Sequence, residues 1–105
     1  MTDNATFEYI AILDSGLSRV TSLAAYTQSL DEPLRGVLWS ARERKWVYRP
    51  SSIAFFHFDP EQEDRTQMVD RTEAERIARE DLGTAVPSED ELRQIVATAA
   101  SEESR

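Results

Sequence analysis

Cysteine is absent from this 105-residue chain, histidine occurs once, and there are only three glycines. Without cysteine there is no disulfide, no thiolate nucleophile and no cysteine-based zinc site. That fits a reducing compartment, so a cytoplasmic protein is expected. Gly16, Gly36 and Gly83 are too scattered for a phosphate-cradling loop or a dinucleotide fingerprint. No apolar run approaches the roughly 18 residues of a membrane helix, and Met1 to Thr6 carry neither the basic nor the apolar stretch of an export signal.

The missing motifs narrow the chemistry further. His57, the sole histidine, lies between Phe56 and Phe58, with Asp59 two residues on. Helical positions two apart point to different faces, so the pair does not converge, and a packed structural histidine is the simpler reading. No serine sits in a Gly-x-Ser-x-Gly elbow. Glu61, Glu63 and Asp64 lack the ligand spacing and central glycine of a calcium loop, and a solvated helix start explains them. Paired carboxylates of the glycosidase kind need a cleft that so small a core is not expected to supply. The sequence therefore assigns no catalytic residue, metal ligand or cofactor, and points to a non-catalytic protein.

What is present is a 40% hydrophobic composition, enough for one domain over residues 1–105, with polar tails expected at 1–6 and 101–105. The net charge of −8 is unevenly placed. Residues 1–50 carry six acids against six bases, whereas residues 51–105 carry fourteen acids against six arginines. A one-sided field of this kind steers a basic partner and repels nucleic acid or an anionic membrane, although charged helix faces also serve plain solubility.

Phe7 to Leu13 is aromatic and aliphatic on both faces apart from Glu8, the pattern of a well-buried strand. Asp14-Ser15-Gly16 suits a hairpin turn with Gly16 at positive φ. The segment from Leu17 to Ala25 fits a helical stripe as well as a strand; the turn and the poor helix formers Ser18, Thr21 and Ser22 favour a strand to about Leu23, leaving 24–33 as a connection. Gly36–Ala41 and Trp46–Arg49 form a second hairpin across Arg42-Glu43-Arg44-Lys45, with aromatics paired across it.

After Pro50 the signals become helical. Ser51 is a candidate cap for a short helix, and Asp59-Pro60 starts one or two turns. Asp70 and Thr72 compete to cap a helix stopped by Gly83, on which Glu75 and Arg79 have pairing spacing. Ser88 and Glu91 form a capping box before Leu92, Ile95, Val96 and Ala99. The expected fold is α+β: an N-terminal antiparallel meander of three to four strands, then two to three short helices packed on one face.

Two surfaces carry the functional expectation. The first is an acidic helical surface of Glu73, Glu80, Asp81, Glu89, Asp90 and Glu91, offered to a basic protein partner as inhibitor-like or immunity-like modules do by physical logic. The second is the hairpin constellation of Trp39, Arg42, Arg44, Lys45 and Trp46. It suits assembly of a homo-oligomer or larger complex, with exposed aromatics such as Phe55. It also has the basic–aromatic pattern of a single-strand nucleic-acid grip, but four bases on a chain of net charge −8 argue against that partner.

Overall fold

The computed structural model describes residues 7–14, 16, 18–29 and 32–103. Strands β1 (Glu8–Leu13), β2 (Val20–Ser29), β3 (Glu32–Ser40) and β4 (Lys45–Tyr48) follow one another as an antiparallel meander. Helix α1 (Pro50–Phe58) and a 3-10 turn (Pro60–Arg65) lead to β5 (Thr66–Val69). That strand pairs with β1, giving the sheet order β4-β3-β2-β1-β5. Helix α2 (Arg71–Ile77) runs into a π-helical turn (Ala78–Leu82), and α3 (Glu89–Glu103) is the last described element.

The architecture is α+β. Helices cover both sides of the sheet, however, which corrects the expectation of one covered face. Tyr9, Ala11, Leu23, Ala25 and Val37 pack with Ala74, Ile77, Ala78, Leu92 and Val96 of the α2–α3 side. Ile10, Ala24 and Tyr26, on the alternate positions, pack with Ile53 of α1. Since β1 is apolar at both parities, a single layer of helices would leave half of its side chains in water.

Other differences are local. The segment 24–33, expected as a connection, lies mostly within β2 and β3, whose pairing of Ala24 with Leu38 and Ala25 with Val37 buries both alanines completely. Residues 30 and 31 lie outside the described residues, as do 1–6, 104, 105, Ser15 and Leu17. The Gly16 turn is closed by Asp14, which takes the Ser18 N–H at 2.9 Å and donates its own N–H to the Arg19 carbonyl at 3.0 Å. Helix α1 starts one residue before Ser51, with Pro50 in its first turn and no side-chain cap. Ser101 to Glu103, read as part of a tail, belong to α3.

Several terminus signals act as the sequence suggests. Asp59 accepts from Glu61 N–H, and Asp70, not Thr72, caps α2 by accepting from Glu73 N–H. Gly83 ends the π turn at φ 68°, in the left-handed region that favours glycine. Ser88 and Glu91 exchange side-chain and backbone hydrogen bonds at 3.0 and 3.1 Å, a complete capping box. Glu75 pairs with Arg71, not with Arg79.

Candidate functional site

Strand β4 is an edge of the sheet, and α3 lies over the same margin, contacting β3 and β4. Between them runs an open groove of about 610 Å³. Its floor is the half-buried surface of Trp46, Pro87, Ile95 and Ala99, and its α3 wall adds Glu91, Gln94, Thr98 and Glu102. These α3 positions recur at three and four residues, so they form one face of the helix, adjacent to the buried seam of Leu92 and Val96. Trp46 is fixed from below: its ring lies 5.7 Å from that of Trp39, and its indole N–H donates to the Ala85 carbonyl at 3.1 Å.

The six acids read from the sequence do not form one surface. Glu73 binds Arg76, and Glu80 binds Arg76 and Arg79. Glu89 and Asp90 share Arg93, at 3.2 and 2.9 Å. Glu91 serves the capping box. Asp81 makes no ion pair among the described residues and borders a different hollow. The Arg76 guanidinium holds the Glu73 carboxyl below the usual carboxylate range through a bidentate contact. Much of the acidity of α2 is therefore matched within the helix, whereas Glu91 and Glu102 on the groove have no basic counterpart among the described residues.

The hairpin constellation is divided as well. Trp39 is buried, whereas Arg42 and Arg44 are exposed in the β3–β4 turn and Lys45 is exposed at the start of β4. Arg44 stands at φ 54°, an uncommon conformation for a residue with a Cβ. Trp39, Arg44, Arg19, Glu80 and Asp81 border a hollow of about 720 Å³ at the turn end of the sheet. Its two arginines face as many acids, so its charges nearly cancel. His57 belongs to α1, on the opposite face of the sheet from the groove. No three potential metal-binding side chains converge among the described residues, and none of the described helices is long and apolar enough to cross a membrane.

A polar cluster ties the helices of the groove side to the sheet. Arg71 donates to the Tyr9 hydroxyl at 2.9 Å, to Glu75 at 2.9 Å and to the Val86 carbonyl at 3.5 Å, and the Tyr9 hydroxyl donates to Glu89 at 3.5 Å. Burial pushes the Tyr9 phenol up; the Arg71 hydrogen bond opposes this and Glu89 adds to it. Tyr26 is also raised, by burial and then by the charge of Glu8. A raised phenol keeps its proton in the folded chain when the unfolded chain has begun to lose it. Stability from this source is complete below about pH 10 and is lost as pH rises through the folded values. Thermal unfolding midpoints are expected to fall above about pH 10, and less so in Tyr9→Phe; a midpoint unchanged to about pH 11 contradicts this.

The sequence reading missed the groove because it assigned Ile95 and Ala99 to the buried stripe. The available signal was the width of that stripe, since a helix that buries Leu92 and Val96 has Ile95 and Ala99 on its flank. Strand β5 was missed because four residues, Thr66–Val69, are too few to establish alternation. Gln94, Thr98 and Glu102 carry no motif and acquire meaning only beside β4. The chain matches no family model, and neither a curated protein nor a solved structure is found to be similar to it.

Proposed function

We propose that this chain is a non-catalytic protein-binding module that presents the acidic outer face of α3 to a basic protein partner. The carrying observation is the pairing of a half-buried apolar strip, open to solvent along the groove, with two acids, Glu91 and Glu102, that have no basic counterpart among the described residues. An apolar centre with a charged rim is the usual anatomy of a recognition surface. The rim charges steer the partner and the strip supplies contact area.

The reading predicts a steep salt response. Immobilised protein is expected to capture a basic protein from an extract of its own cells, with capture falling about tenfold or more from low to high salt. Glu102→Lys, at an exposed position, is expected to weaken capture at low salt by about tenfold without lowering the unfolding midpoint. Salt-insensitive capture, or capture indifferent to Glu102→Lys, refutes the reading.

A second reading, as a subunit of a larger assembly, is favoured by Phe55, Phe58 and Met68, large apolar residues that are about half exposed. A mass that rises with concentration in light scattering would support its homomeric form.

A further inference from the structure

We propose that the groove between β4 and α3 is a strand-addition site, in which an extended basic segment of the partner pairs with the outer edge of β4 as a sixth strand. This rests on the reading of α3 as the acidic binding face and specifies how that face is used.

Three observations carry it. The first is that β4 ends the sheet, and its outer backbone edge has no strand partner among the described residues. Lys45 opens this short strand and Arg49-Pro50 follow it, but both bases are engaged by Glu43, at 3.9 and 2.8 Å, and the intervening Trp46-Val47-Tyr48 bears neither charge nor proline, the devices that usually blunt an exposed edge. The second is fit. Glu91 to Glu102 span about 16 Å along α3, which matches about five residues of extended chain. Thr98 and Ala99 are small enough to leave the middle of the groove open. Because Trp46 and Tyr48 point to the α3 side of β4, alternate side chains of an added strand would fall on the Trp46–Ile95 floor while the others face away.

The third is charge. Glu91 and Glu102 stand toward the two ends of the floor, and no basic side chain lines it among the described residues. Lysine or arginine flanking the apolar positions of the incoming segment would meet them. A second copy of this chain fits less well. Two-fold pairing of β4 with β4 would set the α3 helices of both copies on one face of the shared seam, bringing four like charges together. The occupant is therefore a foreign basic segment.

The probe is a synthetic peptide of about ten residues alternating arginine with valine and threonine. Control peptides carry glutamate in place of arginine, or methylated backbone nitrogens on the side that would face β4. Binding is followed by tryptophan fluorescence and by hydrogen exchange of the Trp46, Val47 and Tyr48 amides. The basic peptide is expected to protect β4 amides, its methylated form to bind at least about tenfold more weakly, and the glutamate form not to bind. Thr98→Trp, which fills the groove from an exposed position, is expected to weaken binding by about tenfold with the unfolding midpoint unchanged.

Equal binding of the methylated peptide, with no change at β4, overturns strand addition while the acidic-face reading stands. Failure of the basic peptide to bind overturns strand addition, and failure of salt-dependent capture as well removes the acidic-face reading with it. Concentration-dependent protection of β4 without peptide identifies a second copy as the occupant and overturns the foreign segment.

Discussion

Gly36→Ala is expected to cost about 3 kcal/mol of stability, the upper end of what a single inserted methyl does in a packed core. A Cβ built on Gly36 would lie 2.6 Å from Ile53 Cδ1 and 2.8 Å from both the Ala25 carbonyl oxygen and Tyr26 Cβ. Ile53, itself fully buried, is where α1 seats on β2 and β3. The helix can retreat only by uncovering Ile10 and Ala24, and the Ala25 carbonyl belongs to the neighbouring strand. Chemical denaturation measures the loss. Ile53→Val removes Cδ1, so the double variant should be destabilised by less than the sum of the two single changes. Strict additivity, or a Gly36→Ala protein as stable as the parent, contradicts the close seating of α1.

Leu92→Ala is expected to cost about 2–5 kcal/mol, the range for a fully buried leucine that leaves a cavity. Leu92 is completely buried in the first turn of α3, against the sheet face of Val37 and Ala25. Among the α3 side chains the structure describes, only Val96 is also buried. Domains of this size hold about 5–15 kcal/mol in total, so one substitution would consume a large share. Gln94→Ala, on the exposed wall of the groove, is expected to stay within about 0.5 kcal/mol. Loosening α3 also removes one wall of the groove, so Leu92→Ala should weaken binding of the basic peptide. Unaltered binding by that variant would place the contact elsewhere.

What could be read in advance is local chemistry, and what could not is position across the sheet. Asp59, Asp70, Gly83 and the Ser88–Glu91 box act within a few residues of themselves, so their roles are visible without a fold. The double-sided apolar pattern of β1 was visible too, yet the expected fold covered only one face, because nothing local says which helix reaches the other. The roles of Gly36, Arg71 and Glu102 depend on neighbours distant in sequence: Ile53 on α1, Tyr9 on β1 and Trp46 on β4. The acidity of the helical half was likewise plain as composition. Its division into arginine-matched residues and the groove acids depended on helical phase and on which face met the sheet.

The strand order also bears on how copies of this protein can stack. Following the antiparallel pairings from β1 outward, β4 and β5 run in the same direction at opposite margins of the sheet. Copies related by simple translation would join β4 to β5 in parallel, the pairing that is slightly less stable per residue. Both margins are only four residues long. Open-ended growth, the hazard of any sheet with two free sides, is thus confined to its weaker geometry and shortest seam, while a separate strand remains at liberty to approach β4 antiparallel.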